Sequence, residues 1–169
     1  INSISWHLLD MPHTTLAATS VGVYQLEGTS VKQILKDRCY TLYRLTSDTN
    51  RIFVGLDNGL QSLYKTGNTY KHEGTVANLK ETIKNIVEFD KKLWLFVDDK
   101  GLMSVDLAQG FKEHASIKNF FEDKSLPEVP VFPAILKDQL YLAAGNGLWK
   151  YDISKKTFFH DTTLLHPAF

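Results

Sequence analysis

The chain has 169 residues, 43% of them hydrophobic, which is enough to bury a sizeable core and argues against a disordered chain. Its 19 basic and 19 acidic residues balance and are interspersed, so the sequence offers neither a basic surface for nucleic acid nor a charged segment for an anionic membrane. No run approaches the ~18 apolar residues that would span a bilayer, and neither nucleic-acid binding nor direct membrane insertion is predicted.

An internal repeat runs through the chain. Four times, a short apolar run is followed six to eight residues later by a glycine and an aliphatic residue. These glycines are Gly22, Gly59, Gly101 and Gly147, at intervals of 37, 42 and 46 residues. Such intervals are close to the period of a four-stranded propeller blade and too long for a leucine-rich repeat. The repeat therefore predicts an all-β fold, a β-propeller segment over residues 1–169 with four blades.

Each blade is predicted to be a four-stranded antiparallel meander, because short runs rich in β-branched and aromatic residues alternate with turns that carry Gly, Asp and Asn. In the first blade, residues 1–36, the strands are predicted over 4–8, 15–18, 22–26 and 31–35. In the second, 37–73, they are predicted over 41–45, 52–54, 59–64 and 69–72. In the third, 74–116, they are predicted over 86–89, 93–96, 102–106 and 111–114. In the fourth, 117–160, they are predicted over 131–136, 140–143, 147–152 and 157–160.

The turns between the second and third strands hold the candidate ligand-binding residues. Each repeat glycine is expected in this turn, where a tight hairpin needs a positive φ. Neighbouring blades would place their polar turn residues on one face of the disc, near the central channel. The candidates are Asp57, Asn58, Asp98, Asp99 and Asn146. The alternative interpretation is structural, because Asp and Asn are ordinary hairpin residues.

Neither a metal site nor a catalytic site is predicted. His72, His114 and His160 each follow a repeat glycine by thirteen residues, so they occupy equivalent outer-strand positions spread along the rim and do not converge on one ion. The single cysteine, Cys39, is expected to be a buried strand residue. The sequence contains no Gly-rich phosphate loop, no zinc-spaced Cys/His set and no nucleophile elbow. No cofactor is therefore expected.

Residues 83–90 with Leu93-Trp94-Leu95, Gly101-Leu102 and Val105-Asp106 resemble the two-component regulator propeller repeat, as do residues 140–142 with 146–152. Proteins of this family form the extracytoplasmic sensor regions of hybrid histidine kinases. The resemblance implies a periplasmic or extracellular, non-catalytic module that senses a ligand, such as an oligosaccharide or another small molecule. The kinase activity would then lie in another part of the protein.

Proteins of this family form rings of about seven blades, whereas four blades are predicted in this sequence. The sequence begins at Ile1 rather than methionine, which favours a piece of a larger ring whose end blades pack against further blades or another copy of the chain. The alternative is a closed four-bladed ring.

Two other functions stay open: a propeller hydrolase or lyase, which needs a convergent acid/base pair, and an assembly scaffold, which needs a broad exposed apolar face.

Overall fold

The computed structural model describes residues 3–108, 110–112, 115–120, 126–127 and 130–163. This part of the chain contains sixteen strands and no helix. The strands form four sheets of four, each an antiparallel meander in which sequence order is also spatial order. The predicted all-β fold of four propeller blades is thereby confirmed.

The strands follow one another along the chain with short connections inside each sheet. Blade one contains β1 Ser5–Met11, β2 Thr14–Thr19, β3 Gly22–Glu27 and β4 Ser30–Leu35. Blade two contains β5 Cys39–Arg44, β6 Arg51–Leu56, β7 Gly59–Thr66 and β8 Thr69–Thr75. Blade three contains β9 Ile83–Phe89, β10 Lys92–Val97, β11 Gly101–Asp106 and β12 Ile117–Asn119. Blade four contains β13 Phe132–Leu136, β14 Gln139–Ala144, β15 Gly147–Asp152 and β16 Thr157–Asp161.

Strand β10 shows why the blades stack. Its side chains alternate between the two faces of the sheet, and nearly all of them are apolar, as expected for a strand that is buried on both faces. Leu93, Leu95 and Val97 pack in a core shared with blade two. Trp94 points the other way, into a core shared with blade four, where its ring lies 4.9 Å from that of Tyr151. A single strand thus contributes to two interblade cores.

Three such cores join the blades in chain order. One lies between blades one and two, one between blades two and three, and one between blades three and four. The first strands of the blades, β1, β5, β9 and β13, lie beside one another at the inner edge of the array. In the described part of the chain no hydrophobic core joins blade one to blade four, so the blades form an open array and the closed four-bladed alternative is not observed.

One predicted strand is wrong. The fourth strand of blade three was expected at 111–114, and the structure has it at Ile117–Asn119. Phe111 lies in a bend, and the end of the predicted segment falls outside the described residues. The Phe111 ring packs edge-on against Phe53 of blade two, with centroids 5.6 Å apart, and the Arg51 guanidinium carbon is 4.7 Å from the same ring. Phe111 therefore belongs to the contact between blades two and three, which displaces the strand along the chain.

The repeat glycines are also not all equivalent. Gly22, Gly59 and Gly147 each follow a two-residue turn and have φ angles of 138°, 133° and 129°. Gly101 instead closes a three-residue turn and has a φ of 69°, with Asp99 before it at 64°. Because this turn has one additional residue, both Asp99 and Gly101 adopt a left-handed backbone conformation. Gly101 therefore differs in conformation from the other three repeat glycines.

No helix that could cross a membrane occurs among the residues described here.

Cys39 is fully buried in β5, as expected from its sequence context. Burial raises the pKa of its thiol to about 12, an effect that a hydrogen bond to the Thr41 backbone only partly offsets. The thiol therefore stays protonated at neutral pH and is a core residue rather than a nucleophile.

Candidate functional site

A cleft of about 590 Å³ lies along the inner strands of blades two, three and four, and we call it the inner cleft. Tyr43 and Thr46 come from β5 and the loop after it, residues 88–91 from β9 and its turn, and Ile135 and Asp138 from β13 and its turn. Because the first strand of each blade forms the inner edge of the sheet, the cleft faces the axis of the propeller. Three blades thus contribute to one concave surface.

Two tight turns form part of the rim of the inner cleft. Asp90 and Lys91 have φ angles of 50° and 57°, and Lys137 and Asp138 have φ angles of 49° and 56°. Two successive residues with positive φ make a two-residue hairpin turn whose twist matches the flanking strands. The charged side chains of these turns are therefore held at the rim by short, well-defined backbone.

Glu88 connects two blades within the inner cleft. One of its carboxylate oxygens, Oε2, accepts hydrogen bonds from the backbone N–H and the hydroxyl of Thr46, at 2.8 and 2.7 Å. Burial raises the pKa of the neighbouring Tyr43, and the charge of Glu88 raises it further. Tyr43 is therefore a protonated phenol at neutral pH, and the Glu88–Thr46 hydrogen bonds link β9 to the loop after β5.

The lining of the inner cleft combines apolar and charged groups. Phe89, Tyr43 and Ile135 provide apolar surface, while Glu88, Asp90 and Asp138 bring three carboxylates against the single ammonium of Lys91. Aromatic faces with a few convergent polar groups are typical of small-molecule sites. The arrangement suits a ligand that carries both apolar faces and hydroxyl or amine donors.

The predicted site residues lie at the opposite end of the blades from the inner cleft. In a meander, the turn after the first strand and the turn after the second strand leave the sheet at opposite ends. None of the predicted residues lines the inner cleft. Their role in ligand binding stays a prediction. The five residues are Asp57, Asn58, Asp98, Asp99 and Asn146.

Contacts at these turns agree with their structural interpretation. Asp98 pairs with the Lys84 ammonium at 2.9 Å, and its backbone N–H donates to the carbonyl of Thr82 at 2.9 Å. The Thr82 hydroxyl in turn donates to the Asp57 carbonyl at 2.9 Å, so the turns of blades two and three are linked through the segment that enters β9. Asn146 accepts a hydrogen bond from the indole N–H of Trp149 at 3.2 Å.

The sequence interpretation missed the inner-cleft residues. The signal that could have found them is the pair of charged two-residue turns after the first strand of blades three and four, Asp90-Lys91 and Lys137-Asp138. To identify these turns as a site, one must also know that the first strand of each blade is the innermost strand. The sequence pattern does not indicate this. Among the described residues, no group of three or more His, Cys, Asp or Glu side chains is placed to hold a metal ion.

Comparison with family models and with curated proteins found no match. Among solved structures, the chain is similar to the extracellular domain of the putative hybrid two component system BT4673 from B. thetaiotaomicron. The two share 19% identity and a TM-score of 0.73 over 94% of this chain. A structure described as the extracellular domain of the putative one component system BT4673, from the same organism, gives 20% identity and a TM-score of 0.72 over 94% of this chain.

Another similar structure is the dihydro-heme d1 dehydrogenase NirN in complex with DHE, at 12% identity and a TM-score of 0.59 over 92% of this chain. The present chain spans 21% of the length of each BT4673 domain and 36% of NirN. At these identities the likeness establishes the fold. Since that fold occurs in a two-component-system domain and in a dehydrogenase, the function has to be argued from the site.

Proposed function

We propose that this chain is part of an extracytoplasmic, ligand-sensing propeller of a two-component receptor of the hybrid histidine kinase type, and that the inner cleft receives the ligand. The proposal is carried by the inner cleft, which residues from the inner strands of three blades line. The similarity to an extracellular domain of a putative hybrid two component system supports the receptor class and the periplasmic or extracellular location.

An oligosaccharide is the ligand that the lining suits best. Sugars present apolar C–H faces that pack on aromatic rings and hydroxyl groups that donate to carboxylates. The inner cleft offers Tyr43 and Phe89 for the first contact and Glu88, Asp90 and Asp138 for the second. A neutral sugar is favoured over an acidic one, because the three carboxylates of the lining outnumber the two lysines at the cleft, Lys91 in the lining and Lys137 in the rim turn.

The chain is expected to bind neutral oligosaccharides in the inner cleft, and isothermal titration calorimetry with a panel of short neutral and acidic oligosaccharides tests this. The variants Asp138→Asn and Lys91→Gln each remove one charge at the rim while keeping the size of the side chain. Each is expected to weaken binding by about tenfold, because hydrogen bonds to charged groups contribute ~1.5–3 kcal/mol. Lys71→Gln, at an exposed position on β8, is the matched control and should bind as the native chain does.

Two results would overturn this proposal. If no oligosaccharide binds, or if binding is unchanged in both rim variants, the inner cleft is not the ligand site. If a sugar is cleaved during the titration, as seen by chromatography of the recovered ligand, the propeller hydrolase or lyase becomes the better explanation.

We propose in addition that the outer faces of blades one and four are covered in the functional protein by further blades or another copy of the chain. Leu8 and Val31 are 60% and 52% exposed, and strand alternation directs both away from blade two. Leu136 and Phe159 on blade four are 42% and 46% exposed and point away from blade three. Apolar patches of this kind mark interaction surfaces.

The mass of the chain in solution, measured by light scattering over a range of concentrations, tests this second proposal together with binding of a hydrophobic dye. Self-association indicates another copy. A monomer that binds the dye indicates faces made for further blades. A strictly monomeric chain that binds no dye would contradict the proposal, since it would show that both end faces are stable in water.

A further inference from the structure

His7 connects blades one and two at the inner edge of the array. It lies on β1, and its ring nitrogen Nδ1 accepts a hydrogen bond from the backbone N–H of Leu42 on β5 at 3.2 Å. The hydroxyl oxygen of Thr41, also on β5, lies 3.1 Å from the same nitrogen. Among the residues that the structure describes, no other hydrogen bond or salt bridge joins these two blades. His7 therefore provides the polar link in an interface built mainly on a hydrophobic core.

The bond from Leu42 identifies the protonation state of the His7 ring. A backbone N–H can only donate, so the nitrogen that faces it must carry a free lone pair and no proton. The hydroxyl of Thr41 can donate to the same lone pair. The imidazole is therefore neutral in this structure, and its one proton is on Nε2.

A second proton on the ring conflicts with this arrangement. It would bind to Nδ1, remove the acceptor for Leu42 and set two N–H groups against each other. The surroundings of the ring also disfavour a charge, because Leu9, on the same face of β1, packs against the hydrophobic core between the blades. Burial accordingly lowers the pKa of His7 from its ordinary value of 6.5.

No neighbouring charge offsets this effect. The strands packed against β1 are β2 and β5, and β2 contains no titratable side chain. The titratable residues of β5 are Cys39, Tyr40, Tyr43 and Arg44. Cysteine and tyrosine are uncharged in mildly acidic solution, and the guanidinium of Arg44 donates to the carbonyl of Thr49 at 2.7 Å. On β1 itself, the carboxylate of Asp10 accepts from the hydroxyl of Thr15. Burial is thus the cause of the lowered pKa of His7, with no contribution from a charged group.

We propose that protonation of His7 in mildly acidic solution releases the inner strand of blade one from blade two, so that this contact between blades depends on pH. The neutral ring accepts from the amide of Leu42, and the protonated ring cannot. Release separates the two N–H groups and lets water reach the charged imidazole. The hydrophobic core between the blades does not titrate in this range, so the change is confined to the inner edge. The inner cleft lies on blades two to four, and its proposed function is independent of this contact.

The direction of the pH dependence follows from the lowered pKa. The released strand binds the proton more tightly than the packed one, because only the packed strand holds the ring neutral. The contact is therefore fully formed above pH 6.5 and weakens as the pH falls below it. Uptake of one proton at the ordinary pKa of histidine gives an increase of about tenfold in the released population between pH 7.5 and pH 5.5.

Hydrogen exchange of the Leu42 amide in the full 169-residue chain, measured by NMR, tests the proposal. The protection factor, corrected for the intrinsic exchange rate at each pH, is expected to fall about tenfold between pH 7.5 and pH 5.5. The amide of Leu95, on the doubly paired strand β10, is the internal reference and should keep its protection. The nitrogen resonances of the His7 ring give a second measurement, and at pH 7.5 they should show the proton on Nε2.

The variant His7→Asn separates titration from packing. The side-chain oxygen of asparagine can accept from Leu42 at about the position of Nδ1 and does not titrate, so protection of Leu42 is expected to be the same at both pH values. His13→Asn is the matched control. Position 13 is exposed and has a φ of 68°, a conformation that asparagine tolerates, and this variant should retain the pH dependence of the native chain.

Four results would overturn the proposal. A proton on Nδ1 at pH 7.5 would show that the ring does not accept from Leu42. Equal protection of Leu42 at the two pH values in the native chain would show that the contact does not respond to protonation. An unchanged pH dependence in His7→Asn would assign the effect to another group. An equal loss of protection at Leu42 and Leu95 would show general destabilisation by acid instead of release of one strand.

Discussion

Replacement of Trp94 by alanine is expected to lower the free energy of unfolding by about 3–5 kcal/mol. Trp94 is only 1% exposed, and its ring lies 4.9 Å from Tyr151, 5.4 Å from Phe120 and 5.6 Å from Phe158. Removing the indole leaves a large cavity in the core between blades three and four, which rigid sheets close only in part. Urea unfolding followed by circular dichroism measures the loss.

Two further variants separate packing from hydrogen bonding at Trp94. The indole N–H donates to the carbonyl of Phe89 at 3.2 Å and so supports the turn at the rim of the inner cleft. Trp94→Phe keeps most of the ring volume and loses this bond, and is expected to cost less than the alanine variant while still weakening ligand binding in the cleft. Trp6→Ala removes a tryptophan that is 43% exposed and is expected to cost far less. Equal losses for Trp94→Ala and Trp6→Ala would contradict the account of the interblade core.

The second large effect is expected for Gly59→Ala, which should lower the free energy of unfolding by about 3 kcal/mol or more. Gly59 has a φ of 133°, a conformation that residues with a side chain rarely adopt. A Cβ atom at this position would lie 2.2 Å from the carbonyl oxygen of Leu79, so the segment connecting blades two and three would have to move. Thermal and urea unfolding of the variant measure the combined effect of backbone strain and displacement.

Gly145→Ala is the matched control for Gly59→Ala. Gly145 lies in the corresponding turn of blade four, has no positive φ and has no atom within 4 Å of an added Cβ. Alanine there is expected to change the free energy of unfolding by no more than about 0.5 kcal/mol. If the two substitutions cost the same, the close approach of the Leu79 carbonyl is not what requires glycine at position 59.

The predicted strands and the observed ones agree best where the signal is local. The run Leu93-Trp94-Leu95-Phe96 predicts a strand because apolar residues on both faces, bounded by turn residues, leave few alternatives, and β10 is found over Lys92–Val97. The strand predicted at 111–114 is wrong because Phe111 packs instead against Phe53 and Arg51, which are far from it in the sequence. A pattern within ten residues contains no information about that contact.

The sequence by itself determined that the protein is an all-β array of four meanders, and it located the repeat glycines, because strand alternation and turn chemistry are local properties of the chain. The tertiary structure decided which strand of each blade is innermost. It therefore also decided which turns meet at the inner cleft. These turns are far apart in sequence, and only the packing of one twisted sheet on the next brings them together.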